Sequence, residues 1–154
     1  MKTSALVLTA IVLLPCVGAA EPSTPSPGVE QRRQSPAEAN AETEYNRGVR
    51  ARVAKDWATA VAAFQKAVAF RPDFAEAWNE LGYALRNQRR YPESVSAYDR
   101  ALKLRPNYPE ALEYLGEAYV QMGRLEEARR ILDRLRPLDK KMAEELAAEI
   151  AKAK

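Results

Sequence analysis

Apolar residues fall into three regimes along the chain. Ala5 to Leu14 is a continuous apolar run behind Lys2, ended by Pro15, Cys16 and the small residues Gly18, Ala19 and Ala20. Glu21 to Asn40 has no apolar periodicity and carries Pro22, Pro25, Pro27 and Pro36 among Ser, Thr, Gln and Gly. Beyond it, large apolar residues recur at the three- and four-residue spacing of amphipathic helices, as in Trp78, Leu81 and Leu85 and again in Met142, Leu146 and Ile150.

The first regime has the layout of a secretory signal peptide, with cleavage expected after Ala20. A spanning helix needs about 20 apolar residues, and Pro15 interrupts this run early, so an uncleaved anchor is the weaker alternative. Leu13-Leu14-Pro15-Cys16 resembles a bacterial lipobox but places proline where that motif wants Gly or Ala, which makes Cys16 signal-peptide material rather than a lipidation site. The expectation is an exported protein, periplasmic or secreted, without stable membrane insertion once residues 1–20 are removed. Residues 21–40 read as a disordered Pro/Ser-rich linker. A helix-start signal, Ser35-Pro36-Ala37-Glu38, sits near its end, with a capping residue, proline at the first helical position and Glu three residues after the cap.

The third regime repeats. Gly48, Gly82 and Gly116 lie 34 residues apart, and so do Pro72 and Pro106. A frame starting at Ala41, Ala75 and Pro109 aligns Ala51/Leu85/Tyr119, Ala60/Ser94/Ala128, Phe64/Tyr98/Leu132 and Ala67/Ala101/Leu135, with Ala60/Ser94/Ala128 small and Phe64/Tyr98/Leu132 large in all three repeats.

This pattern resembles the tetratricopeptide repeat (TPR) family, whose signature runs W-x2-L-G-x2-Y, then A-x3-F, then P. The second repeat is nearly complete, with Trp78, Leu81, Gly82, Leu85, Ser94, Tyr98 and Pro106; the third keeps Leu112, Leu115, Gly116, Tyr119, Ala128 and Leu132. The first keeps Gly48, Ala60, Phe64 and Pro72. The resemblance implies an all-α fold, a right-handed α-solenoid of antiparallel helix pairs, with repeats at 41–74, 75–108 and 109–138 and a capping helix over 139–154. Gly82 and Ser94 would supply the close approach of a pair, flanked by Leu81, Leu85 and Tyr98. Proline after the second helix would end it, since the residue before proline avoids helical dihedrals.

Departures concentrate at the ends. Glu44 and Arg47 stand where later repeats have Trp78/Leu112 and Leu81/Leu115, three residues apart and able to form an ion pair on one helix turn. After Leu135, Pro137 arrives early, and the stripe Met142, Leu146 and Ile150 opposite Lys140, Lys141, Glu144, Glu145 and Glu149 suits a helix that closes a solenoid.

In the TPR family the free face of each first helix lines a concave peptide-binding groove. On this chain it comprises Tyr45, Asn46, Val49 and Arg52; Asn79, Glu80, Tyr83, Arg86 and Asn87; and Glu113, Tyr114, Glu117, Val120 and Gln121. Tyr45, Tyr83 and Tyr114 offer large, stiff, amphipathic contact area. Glu80, Glu113 and Glu117, with Glu76 and Glu110 nearby, predict an acidic groove and a basic or amphipathic protein or peptide guest. The clamp that chaperone-cochaperone TPRs use on a C-terminal carboxylate needs Lys, Asn, Asn, Lys and Arg, where this chain has Tyr45, Val49, Glu80, Glu110 and Tyr114. The asparagine ladder of nucleocytoplasmic glycosyltransferase TPRs is matched at Asn46 alone.

Composition narrows the chemistry further. The 154 residues include 24 basic and 21 acidic ones, a formal charge of +3, too balanced to argue for nucleic acid. Arg89, Arg90, Arg124, Arg129, Arg130, Arg134 and Arg136 make the last two repeats look basic, but Glu126 lies four before Arg130 and Arg129 four before Asp133, the spacing of helix-surface pairs. There is no histidine and one cysteine, which argues against zinc sites, Ser-His-Asp triads and an intrachain disulfide. No cofactor and no metal are expected. The best catalytic pair is Glu113 and Glu117, at i, i+4, with no nucleophile or phosphate loop beside it. The sequence therefore predicts a non-catalytic adaptor or scaffold of a bacterial-type cell envelope; self-association through the solenoid ends is the competing expectation.

Overall fold

The computed structural model describes residues 35–153. The signal-peptide pattern at 1–20 and residues 21–34 of the expected linker lie outside them. The described residues form seven helices: α1 (Pro36–Val53), α2 (Trp57–Phe70), α3 (Ala75–Asn87), α4 (Tyr91–Leu104), α5 (Pro109–Gln121), α6 (Leu125–Leu135) and α7 (Lys140–Lys152). Ser35 caps α1 in a full capping box: its hydroxyl accepts from the Glu38 N–H at 3.2 Å, and its own N–H donates to the Glu38 carboxylate at 2.7 Å. Residues 36–40, inside the 21–40 bounds given to the linker, are therefore helical, and α1 begins where the Ser35-Pro36-Ala37-Glu38 signal predicts.

The two helices of each repeat are joined by a three-residue turn of constant design. Lys55, Arg89 and Gly123 take left-handed dihedrals, with φ of 57°, 62° and 71°. In each turn the next residue's N–H reaches back to the helix: Asp56 to Ala51 at 2.9 Å, Arg90 to Leu85 at 3.0 Å and Arg124 to Tyr119 at 2.8 Å. This is the Schellman arrangement, which satisfies the carbonyls left open at a helix end and turns the chain sharply. The second helices end as the prolines require, since Arg71 and Arg105 leave the helical region before Pro72 and Pro106 with φ of −135° and −134°. Arg136 does not follow: it keeps helical dihedrals before Pro137, in a tight turn where the N–H groups of Leu138 and Asp139 both donate to the Leu135 carbonyl.

Within each of the first two pairs, closeness is set at one level. The fully buried Ser94 donates its hydroxyl to the Gly82 carbonyl at 2.8 Å, tying α4 to α3. A Cβ at Gly82 would lie 2.6 Å from the buried ring of Tyr98, and one at Gly48 would lie 2.6 Å from that of Phe64. The third repeat solves the problem differently, since the space over Gly116 is taken by Leu146 of α7, not by Leu132 of its own second helix. Trp78 packs against the apolar clusters on both sides of it and donates its indole N–H to the Pro72 carbonyl at 2.8 Å, fixing the junction between repeats one and two.

The closing helix α7 packs on α5 and α6 through Ala143, Leu146 and Ile150. Its N-cap, Asp139, accepts from the Met142 N–H at 2.9 Å. Docked there, it covers Glu113, which is 8% exposed. Burial, then the charges of Glu117 and Glu145, a hydrogen bond with Glu145 and the charge of Asp139, push the Glu113 carboxyl up to about 7.

Two expected outcomes follow from this packing. Gly82→Leu overpacks the α3–α4 contact and lowers stability by about 1–3 kcal/mol or more, while Gly116→Ala costs less than Gly82→Ala because its neighbour is a flexible leucine end; chemical denaturation of the variants checks the order. The folded chain holds the Glu113 proton more tightly than the unfolded one, whose carboxyl titrates near the ordinary 4.5. Its contribution to stability is thus complete below about pH 4.5 and lost as pH rises through about 7. Glu113→Gln removes that loss, so melting curves of wild type and variant should separate between about pH 5 and 8, with the variant the more stable at the upper end.

Candidate functional site

The first helices α1, α3 and α5 carry the residues expected on the groove. Tyr83 and Tyr114 stand side by side on α3 and α5, with ring centroids 5.2 Å apart. Trp57, at the start of α2, extends the strip with its ring 5.9 Å from Tyr83. Sequence reasoning confined to the first helices missed it. The available signal was its register, because Trp57, Tyr91 and Leu125 repeat at 34 residues. Tyr45 belongs to a separate group, packed on Phe74 at 4.8 Å and Phe64 at 5.7 Å. The three predicted tyrosines are all half-buried, but only two of them share a surface.

Charge on this face is already paired. Arg52 of α1 sits with Nε 3.1 Å from the Glu80 carboxylate of α3, and Arg86 of α3 donates to Glu117 of α5. Each guanidinium also lies against aromatic faces, Arg86 at 5.4 Å from the ring centres of both Tyr83 and Tyr114, and Arg52 at 5.8 Å from Tyr83. Burial raises the Glu80 pKa against the lowering pull of Arg52. A second ladder runs along the loops: Arg71 pairs with Glu42 and Arg105 with Glu76, one repeat apart, over the rings of Phe74 and Tyr108 respectively. The position that would serve Glu110 in the same way is Asp139. The expected acidic groove is corrected accordingly, since Glu76, Glu80 and Glu117 are each compensated by an arginine from a neighbouring element.

Two predicted groove residues are inside the protein. Asn79 is 3% exposed, with Oδ1 lacking a hydrogen-bond partner, and Glu113 lies beneath α7. The cause is common to their position in the repeat, which abuts the following helix pair: its counterpart Tyr45 meets Phe74, and Glu113 meets Glu145. Asn46, Asn87 and Gln121 are exposed, and Val49, Arg52, Glu80, Tyr83, Arg86, Tyr114, Glu117 and Val120 are partly accessible. Asn87 turns back on its own helix, donating to the Tyr83 carbonyl at 2.8 Å. Glu113 and Glu117 are not presented together to solvent, because one is covered and the other is held by Arg86.

The basic surface of the last two repeats is paired in part, with different partners from those expected; Arg89, Arg130 and Arg134 have no carboxylate partner among the described residues, and Arg134 donates to the Pro106 carbonyl. Arg129 takes Glu126 and Arg136 takes Asp133, both at i, i+3 in place of the predicted i, i+4 pairs, and Arg90 and Arg124 take Glu93 and Glu127. At the open end of the first repeat, Arg47 and Glu44 pair at 2.7 Å as their spacing predicts. Among the described residues no group of carboxylates is arranged to hold a metal ion, and no helix is long and apolar enough to cross a membrane.

Comparison with known proteins places this geometry. Two tetratricopeptide repeat models match, one over residues 45–109 and one over residues 85–153. No curated protein matches at a significant level. Similar solved structures include the TPR2B domain of yeast Sti1 in its pHsp70 complex, 20% identical, covering 75% of this chain and 99% of that one with a TM-score of 0.72. The Arabidopsis OM64 TPR domain is 17% identical over 75% of this chain and 98% of that one, TM-score 0.72. The MamA R50E mutant is 29% identical over 65% and 73%, TM-score 0.62. With seven helices and no strand among the described residues, and with two repeat models that together span 45–153, the chain is an α-solenoid and belongs to the tetratricopeptide repeat family.

Proposed function

We propose that this chain is a non-catalytic adaptor that holds a segment of a partner protein across the strip formed by Trp57, Tyr83 and Tyr114. The observation that carries the reading is this strip, aromatic and half-buried, flanked by arginines whose charge is already compensated. Such a surface offers contact area with little rotamer entropy to lose and little net charge to desolvate. It suits an amphipathic segment whose apolar side chains lie on the rings. A strongly basic guest is less well served, because the carboxylates that would have attracted it are taken. The TPR2B domain of Sti1, similar in fold, was solved with pHsp70, which supports a peptide or protein as the guest; the residues at the clamp positions differ here, so that particular specificity is not carried over. Export to a bacterial-type envelope is part of the proposal and rests on residues 1–20 alone.

Assembly through the solenoid ends is the second reading. Against it stand the Glu44–Arg47 pair, which makes one end polar, and α7, which occupies the other.

Crosslinking the protein in the cells that make it, followed by mass spectrometry, separates the two. The adaptor reading expects a heterologous partner that a folded Tyr83→Ala/Tyr114→Ala variant loses. Self-crosslinks alone, unchanged by the variant, would sink it in favour of end-to-end assembly.

A further inference from the structure

Arg89 occupies the left-handed position of the turn within the second repeat, which the first repeat gives to Lys55 and the third to glycine. Its φ is 62°, and the residue 34 positions later is Gly123, at 71°. Left-handed dihedrals are free of steric cost for glycine and disfavoured for arginine. The side chain so displayed is exposed. Whereas Arg90, Arg124, Arg129 and Arg136 each take a carboxylate three residues away, the Arg89 guanidinium has no carboxylate partner among the described residues.

Arg89 borders a cavity of about 250 Å³ whose other walls are Arg86, Asn87, Tyr91 and Gln121. These side chains bring guanidinium, amide and phenol hydrogens to one place, and none of them is acidic. Tyr91 opens α4, a helix start with no side-chain cap, so the local dipole has the same sign as the arginines. Arg86 is compensated by Glu117, which leaves the cavity one net positive charge, that of Arg89. A smaller cavity of about 90 Å³ shares Arg86 and Gln121 with it and continues to Glu117, Val120 and Glu149, whose carboxylate is paired with Lys152, joining it to the groove.

We infer that this cavity is a carboxylate subsite, taking an aspartate or glutamate side chain of the segment that lies in the groove. One uncompensated guanidinium matches one carboxylate, and the surrounding amide and phenol groups satisfy its remaining lone pairs. The inference takes its partner from the adaptor reading and its chemistry from the cavity alone.

The test is an NMR titration of the isotopically labelled protein at constant ionic strength with a blocked glutamate, acetyl-glutamate methylamide. Saturable shifts are expected at the amides of Arg89, Tyr91 and Gln121, and none with the blocked glutamine. Arg89→Gly should weaken binding roughly tenfold or more without lowering the melting temperature, because glycine suits that turn; Tyr91→Phe, which keeps the ring, should weaken it less. Shifts that do not saturate, that spread equally to Arg130 and Arg134, or that survive Arg89→Gly overturn the subsite. Saturation by inorganic phosphate with none by blocked glutamate overturns the carboxylate assignment. The probe needs no partner, so failure of the crosslinking experiment and failure of this one are separate results.

Discussion

Helices of eleven to fourteen residues, the length of α2 to α7, are too short to hold together by local propensity and depend on tertiary contact. In the first two repeats that contact is made where a glycine backbone meets an aromatic ring of the partner helix, Gly48 with Phe64 and Gly82 with Tyr98. The missing Cβ lets the axes approach, the ring fills the level beside it, and at the second repeat the Ser94 hydroxyl ties the same glycine's carbonyl across the pair. A larger residue at either glycine would part the helices and disturb every residue packed above and below. The third repeat has leucine in place of the aromatic, and its glycine is filled from α7, so the closing helix replaces a contact that the earlier repeats make for themselves.

The groove is a consequence of that spacing. Because each pair is compact, successive first helices come near enough for a long side chain on one to reach the next. Arg52 reaches Glu80 and Arg86 reaches Glu117, and the tyrosines between them stack within 5.2 Å. Single surface ion pairs contribute little. These guanidiniums, however, are partly buried and lie on aromatic faces as well, which restrains the side chains of the surface they form. At the far end the ladder stops with Val120, where a further arginine would stand, and α7 covers Glu113, one of the positions expected on the groove.

Much of the architecture was legible in the sequence because it is periodic: the 34-residue interval, the glycine comb, the capping box at Ser35 and the apolar stripe of α7 each have a local cause. The site was legible in part. A single helix viewed alone shows which residues share a face, but Asn79 and Glu113 are covered by elements that follow in the chain, and a wheel projection contains no such element. The groove's apparent acidity misled for the same reason, since its compensating arginines come from neighbouring helices at distances of about thirty residues in sequence. Trp57 escaped because it belongs to a second helix, yet its ring completes the strip that the first helices begin.

Paired charges also shape what such a surface can select. A groove of uncompensated glutamates would gather cations of many kinds, with strong dependence on salt. Here the carboxylates and guanidiniums offset one another's charge, so in the proposed adaptor a guest gains little from bulk charge and must match the rings of Trp57, Tyr83 and Tyr114 in spacing. In the proposed subsite Arg89 acts at one point on that alignment rather than over the whole face. On that proposal, apolar contact along the strip supplies the area and a single charge beside it fixes direction and register, a division of labour in which polar groups contribute specificity more than affinity.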